Sequence, residues 1–170
     1  MRCLPSLLRT EVCHSMHVEI ERKFLVDSLD AVNGTDPVPV RQGYLARGEG
    51  EEVRVRRQGE EFTLTVKRGS GLTRSECEIP LGPEQFQELW PATEGARVTK
   101  SRYAVALPDG RTAHVDVFDG RLLGLATVEV EFPSESEARA FDPPAWFGAE
   151  VTEDARYANR ALSSADGVPA

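Results

Sequence analysis

Three strand-like stretches of this chain each carry a pair of glutamates separated by a single residue: Glu19 with Glu21, Glu76 with Glu78, and Glu129 with Glu131. On an extended strand such neighbours point to the same side and repel each other unless a cation lies between them. With no His or Cys in these doublets, the donor chemistry is that of a hard, oxygen-seeking ion such as Mg²⁺ or Mn²⁺. Asp116 is a further carboxylate of the same kind, between Val115 and Val117. The bases that alternate in the same way are Lys23, Arg54, Arg56, Lys67, Arg74, Lys100 and Arg102. Guanidinium forks match phosphate oxygens with two parallel hydrogen bonds. Carboxylates for a metal beside a basic cradle for phosphate describe a metal–polyphosphate site.

These residues need strands to position them. Eight stretches alternate charged with apolar residues: about 17–26, 40–46, 52–57, 61–68, 72–80, 98–107, 112–119 and 125–132. Each has one ionic and one apolar face. One or two such strands could lie on a surface. A charged face of both signs on nearly all of them predicts a closed sheet around an ionic lumen. The expected fold is mainly β (α+β), an eight-stranded antiparallel closed barrel with a charged interior and a few covering helices. Arg22, Arg41 and Arg57 fall off the ionic face and are placed outside. Gly82-Pro83 opens a helix through Trp90, stopped by Pro91. Ser134-x-x-Glu137 is a capping box for a second helix to Phe141, and a last short helix lies within 153–162. Trp90, Phe141, Trp146 and Phe147, assigned to amphipathic helices, would cover the aliphatic exterior.

The chain has 170 residues, 40% of them hydrophobic, and a net charge of −8. One domain over 16–165 is expected, with residues 1–15 an N-terminal extension, disordered or a mis-assigned start ahead of Met16. The acidic balance speaks against nucleic acid as a partner. No apolar run approaches about 18 residues, so no membrane span is expected. The three cysteines, Cys3, Cys13 and Cys77, form no C-x-x-C pair. Neither a disulfide framework nor a zinc site is indicated, Cys77 reads as a small packing residue, and a reducing cytoplasm is the natural location. His14, His17 and His114 are scattered and read as surface or near-terminal residues. A homodimer is one assembly the sequence allows.

The same residues carry a resemblance. Glu19-Ile20-Glu21-Arg22-Lys23 resembles the E-x-E-x-K signature of the CYTH superfamily, the triphosphate tunnel metalloenzymes. Arg41-Gln42-Gly43-Tyr44-Leu45, Arg54-x-Arg56, Lys67, Arg74-x-Glu76-x-Glu78, Lys100-Ser101-Arg102-Tyr103, Asp116-Val117-Phe118 and Glu129-Val130-Glu131-Phe132 follow in the family's order. Leu89 to Gly95 and Glu150 to Tyr157 look like the short bacterial inorganic triphosphatases. The resemblance implies an eight-stranded tunnel, dependence on Mg²⁺ or Mn²⁺, and hydrolysis of tripolyphosphate to pyrophosphate and phosphate. The bases would hold the triphosphate. Glu19, Glu21, Glu129 and Glu131 would hold the main metal, with Glu76 and Glu78 placing a second ion or the attacking water.

For the chemistry itself, Tyr44, Lys23 and Lys100 are the catalytic candidates. Tyr44 would act as base if neighbouring cations lowered its pKa from about 10. Asp116 reads as a metal ligand or as a residue that orients Arg or Lys. The residues at Asp154 and Tyr157 would either plug one end of the tunnel or cover the barrel. The competing expectations are a CYTH-type adenylyl cyclase, a nucleoside or thiamine triphosphatase, and a non-catalytic polyphosphate-binding module.

Overall fold

The computed structural model describes residues 17–48 and 50–170, so the expected extension over residues 1–15 lies outside the described residues. The strands are β1 (His17–Val26), β2 (Val38–Gly48), β3 (Glu51–Gln58), β4 (Glu61–Ser70), β5 (Thr73–Pro80), β6 (Arg97–Ala106), β7 (Thr112–Phe118), β8 (Ala126–Glu131) and β9 (Phe147–Glu150). The helices are α1 (Pro83–Leu89), α2 (Glu135–Ala140) and α3 (Asn159–Leu162). β1 pairs antiparallel with β8 on one edge and with β5 on the other, which closes the first eight strands in the order β5-β4-β3-β2-β6-β7-β8-β1. The expected barrel is therefore present.

β9 is an addition to it. The β4–β5 hairpin turns back early, and its last bond to β1 runs from the Glu21 N–H to the Leu72 carbonyl at 3.1 Å. Beyond that point β9 takes over the same edge, pairing Phe24 with Glu150 and Val26 with Phe147. Four residues without charge alternation gave no signal for this strand. Phe147 accordingly covers the exterior from a strand, not from the expected helix.

The registers fix what faces inward. Directly opposed residues share a face, and the opposed pairs include Glu19 with Arg74, Lys23 with Glu129, Lys67 with Glu76 and Arg102 with Asp116. A one-residue slip would turn every one of these side chains to the other side. The outer face carries Phe24, Ala113, Val115, Val128, Val130 and Phe132, buried under Ala138 of α2 and Phe147. On the far side of the barrel, Phe86 of α1 lies between Phe62 and Trp90, with ring centroids 5.2 and 5.1 Å away. The α-helix ends at Leu89, just ahead of Pro91, and a different helix follows. Pro91 enters the first turn of this 3-10 helix, Trp90–Thr93, where its missing N–H costs nothing. Thr93 then packs so closely on β2 that a Cβ at Gly43 would collide with it. Cys77, expected to be a small packing residue, is half-buried on β5.

The C-terminal segment plugs the barrel. Leu25, Val98 and Phe118 continue the inward alternation of Lys23, Lys100 and Asp116, but they are apolar. They cluster with Leu122, Leu125, Val151, Tyr157 and Leu162. The inward face is thus ionic along most of its length and oily at one end, and the last helix seals that end.

Arg22 ties the cover to the wall from outside. Its Nε and Nη2 donate to the Glu150 carboxylate at 2.8 and 2.6 Å, and its Nη1 donates to the carbonyls of Ala138 and Phe141 at 2.9 and 3.0 Å. The guanidinium also lies 5.0 Å from the Phe24 ring centroid. Arg22→Ala should lower stability by about 2 kcal/mol, because two carbonyls at the end of α2 and a carboxylate lose this donor together. Chemical denaturation measures this, and activity below the transition should be unchanged.

Candidate functional site

A cavity of about 480 Å³ occupies the barrel interior. Nearly all the residues picked out from the sequence line it: Glu19, Glu21 and Lys23 from β1, Arg54 and Arg56 from β3, and Lys67 from β4. Arg74, Glu76 and Glu78 come from β5, Lys100 and Arg102 from β6, and Glu129 and Glu131 from β8. Asp116 and Tyr44 are not on that wall.

The charges meet each other across the strands. Lys23 pairs with Glu129 at 2.8 Å, and Arg102 bridges Glu129 at 2.9 Å and Asp116 at 2.7 Å. Lys67 joins Glu19 at 2.7 Å to Glu76 at 2.6 Å, while Arg74 holds Glu19 and Glu21. Arg56 pairs with Glu78 at 3.0 Å, and the Thr65 hydroxyl donates to the same carboxylate at 2.9 Å. Burial alone would raise the pKa of Glu129, but Lys23, Arg102 and Lys100 hold it well below the usual carboxylate range. Burial likewise opposes ionisation of Glu76, and Lys67 outweighs it.

Asp116 is fully buried, and both its oxygens are taken, by Lys100 at 2.6 Å and by the Arg102 fork at 2.7 Å. It lies behind the cavity lining, where it anchors and orients these two bases. The two lysines differ. Burial would lower the pKa of Lys23, but Glu129 and Glu21 outweigh it and hold the ammonium above its ordinary value. For Lys100, burial wins over Asp116, and its pKa is pushed down to about 8.

Tyr44 does not have the properties of the expected base. Its side chain is buried, its hydroxyl accepts from Gln42 Nε2 at 3.1 Å, and burial with Glu52 raises its pKa despite the hydrogen bond with Arg54. The phenol braces Arg54 and Gln42 from behind the wall.

Two of the charges picked out from the sequence, of opposite sign, have no ion pair among the described residues. Arg54 is 6% exposed and has no ion pair among the described residues, and its Nε is a buried donor without a partner. Glu131, exposed at the open end, also has no ion pair among them, and burial together with Glu19, Glu21 and Glu129 raises its pKa. Arg54 is touched by no carboxylate among the described residues, although Glu76, Glu52 and Glu19 lie near enough to raise its pKa against burial, and Glu131 is crowded by like charges; the two fit a site that takes an anion and a cation. Among the described residues no three carboxylates already form a coordination cluster. The doublets reach toward Lys and Arg instead, so a metal would draw them off these partners.

Several lining residues went unread in the sequence. Glu52 and His114 precede Arg54 and Asp116 by two residues, so strand alternation alone places them on the inner wall. His114, read as a surface residue, is corrected by that placement. Asn159, whose Oδ1 accepts from Lys100 at 3.1 Å, and Arg160 come from the plug, where no periodicity marks them.

Comparison with known proteins bears on this geometry. A model of the CYTH domain matches residues 17–143. The chain is 53% identical over 146 residues to an inorganic triphosphatase of Nitrosomonas europaea, covering 85% of this chain and 96% of that protein. It is 39% identical over 150 residues to an inorganic triphosphatase of Acetivibrio thermocellus, covering 86% and 94%. A solved inorganic triphosphatase structure superposes with a TM-score of 0.66 at 50% identity, over 89% of this chain and 97% of that one. A Hippeastrum protein with a dominant triphosphatase activity shares the fold, with a TM-score of 0.54 at 14% identity, over 72% and 83% of the chains.

Glu131→Gln separates a cation-seeking carboxylate from an ordinary surface one. A carboxylate whose folded pKa is raised destabilises the fold above that value and ceases to do so below pH 4.5, where it is protonated in both states. At pH 7 in EDTA the variant should therefore melt about 1–3 °C above the wild type. In excess Mg²⁺ the order should reverse, since the wild type gains ligand stabilisation that the variant lacks. Thermal melts in both buffers measure it.

Proposed function

This chain belongs to the CYTH domain family, and we propose that it is a metal-dependent inorganic triphosphatase that splits tripolyphosphate into phosphate and pyrophosphate inside the barrel. One observation carries the reading: the same barrel cavity holds both a guanidinium, Arg54, and a carboxylate, Glu131, that no direct ion pair engages among the described residues.

In this reading Arg54, Arg56, Lys67, Arg74 and Arg102 grip the phosphate chain, joined by Lys23 and Lys100. Glu19, Glu21, Glu129 and Glu131 would hold Mg²⁺ or Mn²⁺, with Glu76 and Glu78 near a second ion. The metal, when bound, neutralises phosphate oxygens and polarises the phosphorus. As substrate enters, the internal ion pairs exchange partners, so the site is preorganised without having to bury isolated charges. Lys100, with its pKa near 8, is poised to take a proton from the attacking water. The water oxygen bonds to the terminal phosphorus, the bond to the bridging oxygen breaks, and pyrophosphate leaves with that electron pair. Lys23, held protonated by Glu129, stays a phosphate ligand.

The lining also bears on selectivity. It contains no Phe, Tyr or Trp, so a nucleobase finds no large aromatic face to stack on there. That favours the inorganic chain over a nucleotide, and the full set of glutamate doublets on the wall favours an enzyme over a passive polyphosphate binder. A cytoplasmic location, a homodimer and the absence of a nucleic-acid partner belong to the same proposal. Among the described residues no helix is long and apolar enough to cross a membrane.

Phosphate release from tripolyphosphate with Mg²⁺ or Mn²⁺ should exceed that from ATP by about 100-fold in kcat/KM, and EDTA should abolish it. Equal rates on the two substrates would sink the inorganic assignment. The Lys100 amine must be neutral to accept a proton, so kcat/KM should climb as the pH rises through about 8 and then level off. Lys100→Arg, which stays charged, should lose about 100-fold in rate and lose that rising limb. A pH–rate profile of each protein reads both effects.

A further inference from the structure

His114 is the one ring on the cavity wall, and the mechanism above does not use it. Its place follows from register. On one side it faces Glu129 of β8, and on the other Ala104 of β6. Neither neighbour engages it. Glu129 has Oε1 against Lys23 and Oε2 against Arg102, and Ala104 offers only a methyl group. Among the described residues the imidazole makes no hydrogen bond and no ring contact, although almost every other polar group around it is paired. Arg102 and Arg56 are close enough, with burial, to push its pKa down. Both are phosphate-binding residues in the present reading.

A ring kept for packing would be enclosed, and a ring kept for the fold would have a partner. This one is half-buried, polar, unpartnered, and turned into a cavity between two guanidiniums and a metal-site carboxylate. We propose that His114 is a substrate-contacting residue, donating a ring N–H to an oxygen of the phosphoryl group held beside Glu129 and Glu131. The assignment rests on the triphosphatase reading and adds a specific contact to it. It does not depend on the ring's charge, since a neutral imidazole has one N–H donor and a protonated one has two.

The test compares His114→Ala, His114→Asn and His114→Gln with the wild type in steady-state hydrolysis of tripolyphosphate with Mg²⁺. Melting temperatures are measured alongside. A lost hydrogen bond to a charged group predicts a fall of about tenfold or more in kcat/KM for His114→Ala. Asn and Gln carry an amide N–H near the two ring nitrogens in turn, so one of them should recover to within about threefold of the wild type. All three variants should melt within about 2 °C of it, because no folded-state partner is lost. His114→Ala retaining kcat/KM within about twofold, or neither amide restoring it, overturns the assignment. A wild type that does not hydrolyse tripolyphosphate at all would instead refute the triphosphatase reading, and with it the contact.

Discussion

An ion taken out of water costs several kcal/mol unless a counter-charge meets it. This barrel turns its charged faces inward, so the fold and the site are governed by the same requirement. Each strand contributes ions that its neighbours in the sheet must neutralise. Lys67 reaches Glu19 and Glu76, Arg74 reaches Glu19 and Glu21, and Arg102 reaches Asp116 and Glu129. The register that closes the sheet is also the register that pairs the charges.

Closure has its own demands. β5 is too short to line the whole of β1, and β9 completes that edge. The end of the barrel away from Glu131 changes character, from ionic to apolar, and the C-terminal segment packs into it through Tyr157 and Leu162. That plug puts Asn159 and Arg160 on the cavity wall and lets the Tyr157 carbonyl accept from Lys23 at 3.3 Å. A segment that seals the fold therefore also touches the bases that serve the chemistry.

What is left unpaired is as informative as what is paired. Stability alone would favour neutralising Arg54 and removing the repulsion at Glu131. Both remain, along with an unpartnered His114, and all three face one cavity. Paired groups hold the geometry, and the unpaired ones leave room for an anion and a cation to complete it. This is the usual trade of stability for function at a binding site.

Strand alternation made the barrel, its inverted polarity and most of the cavity residues legible, because period-two patterning survives any tertiary arrangement. The same rule, applied to Glu52 and His114, would have found them. It could not find β9, the plug or Asn159 and Arg160, whose positions follow from packing and not from periodicity. Nor could it distinguish Asp116 from the glutamates or Lys100 from Lys23. By itself the sequence determined which residues share a face and which charges that face carries. Only the tertiary structure decided which charge meets which, and so which ones remain unmatched, because partner choice and burial depend on strands that are distant in the chain but adjacent in the wall.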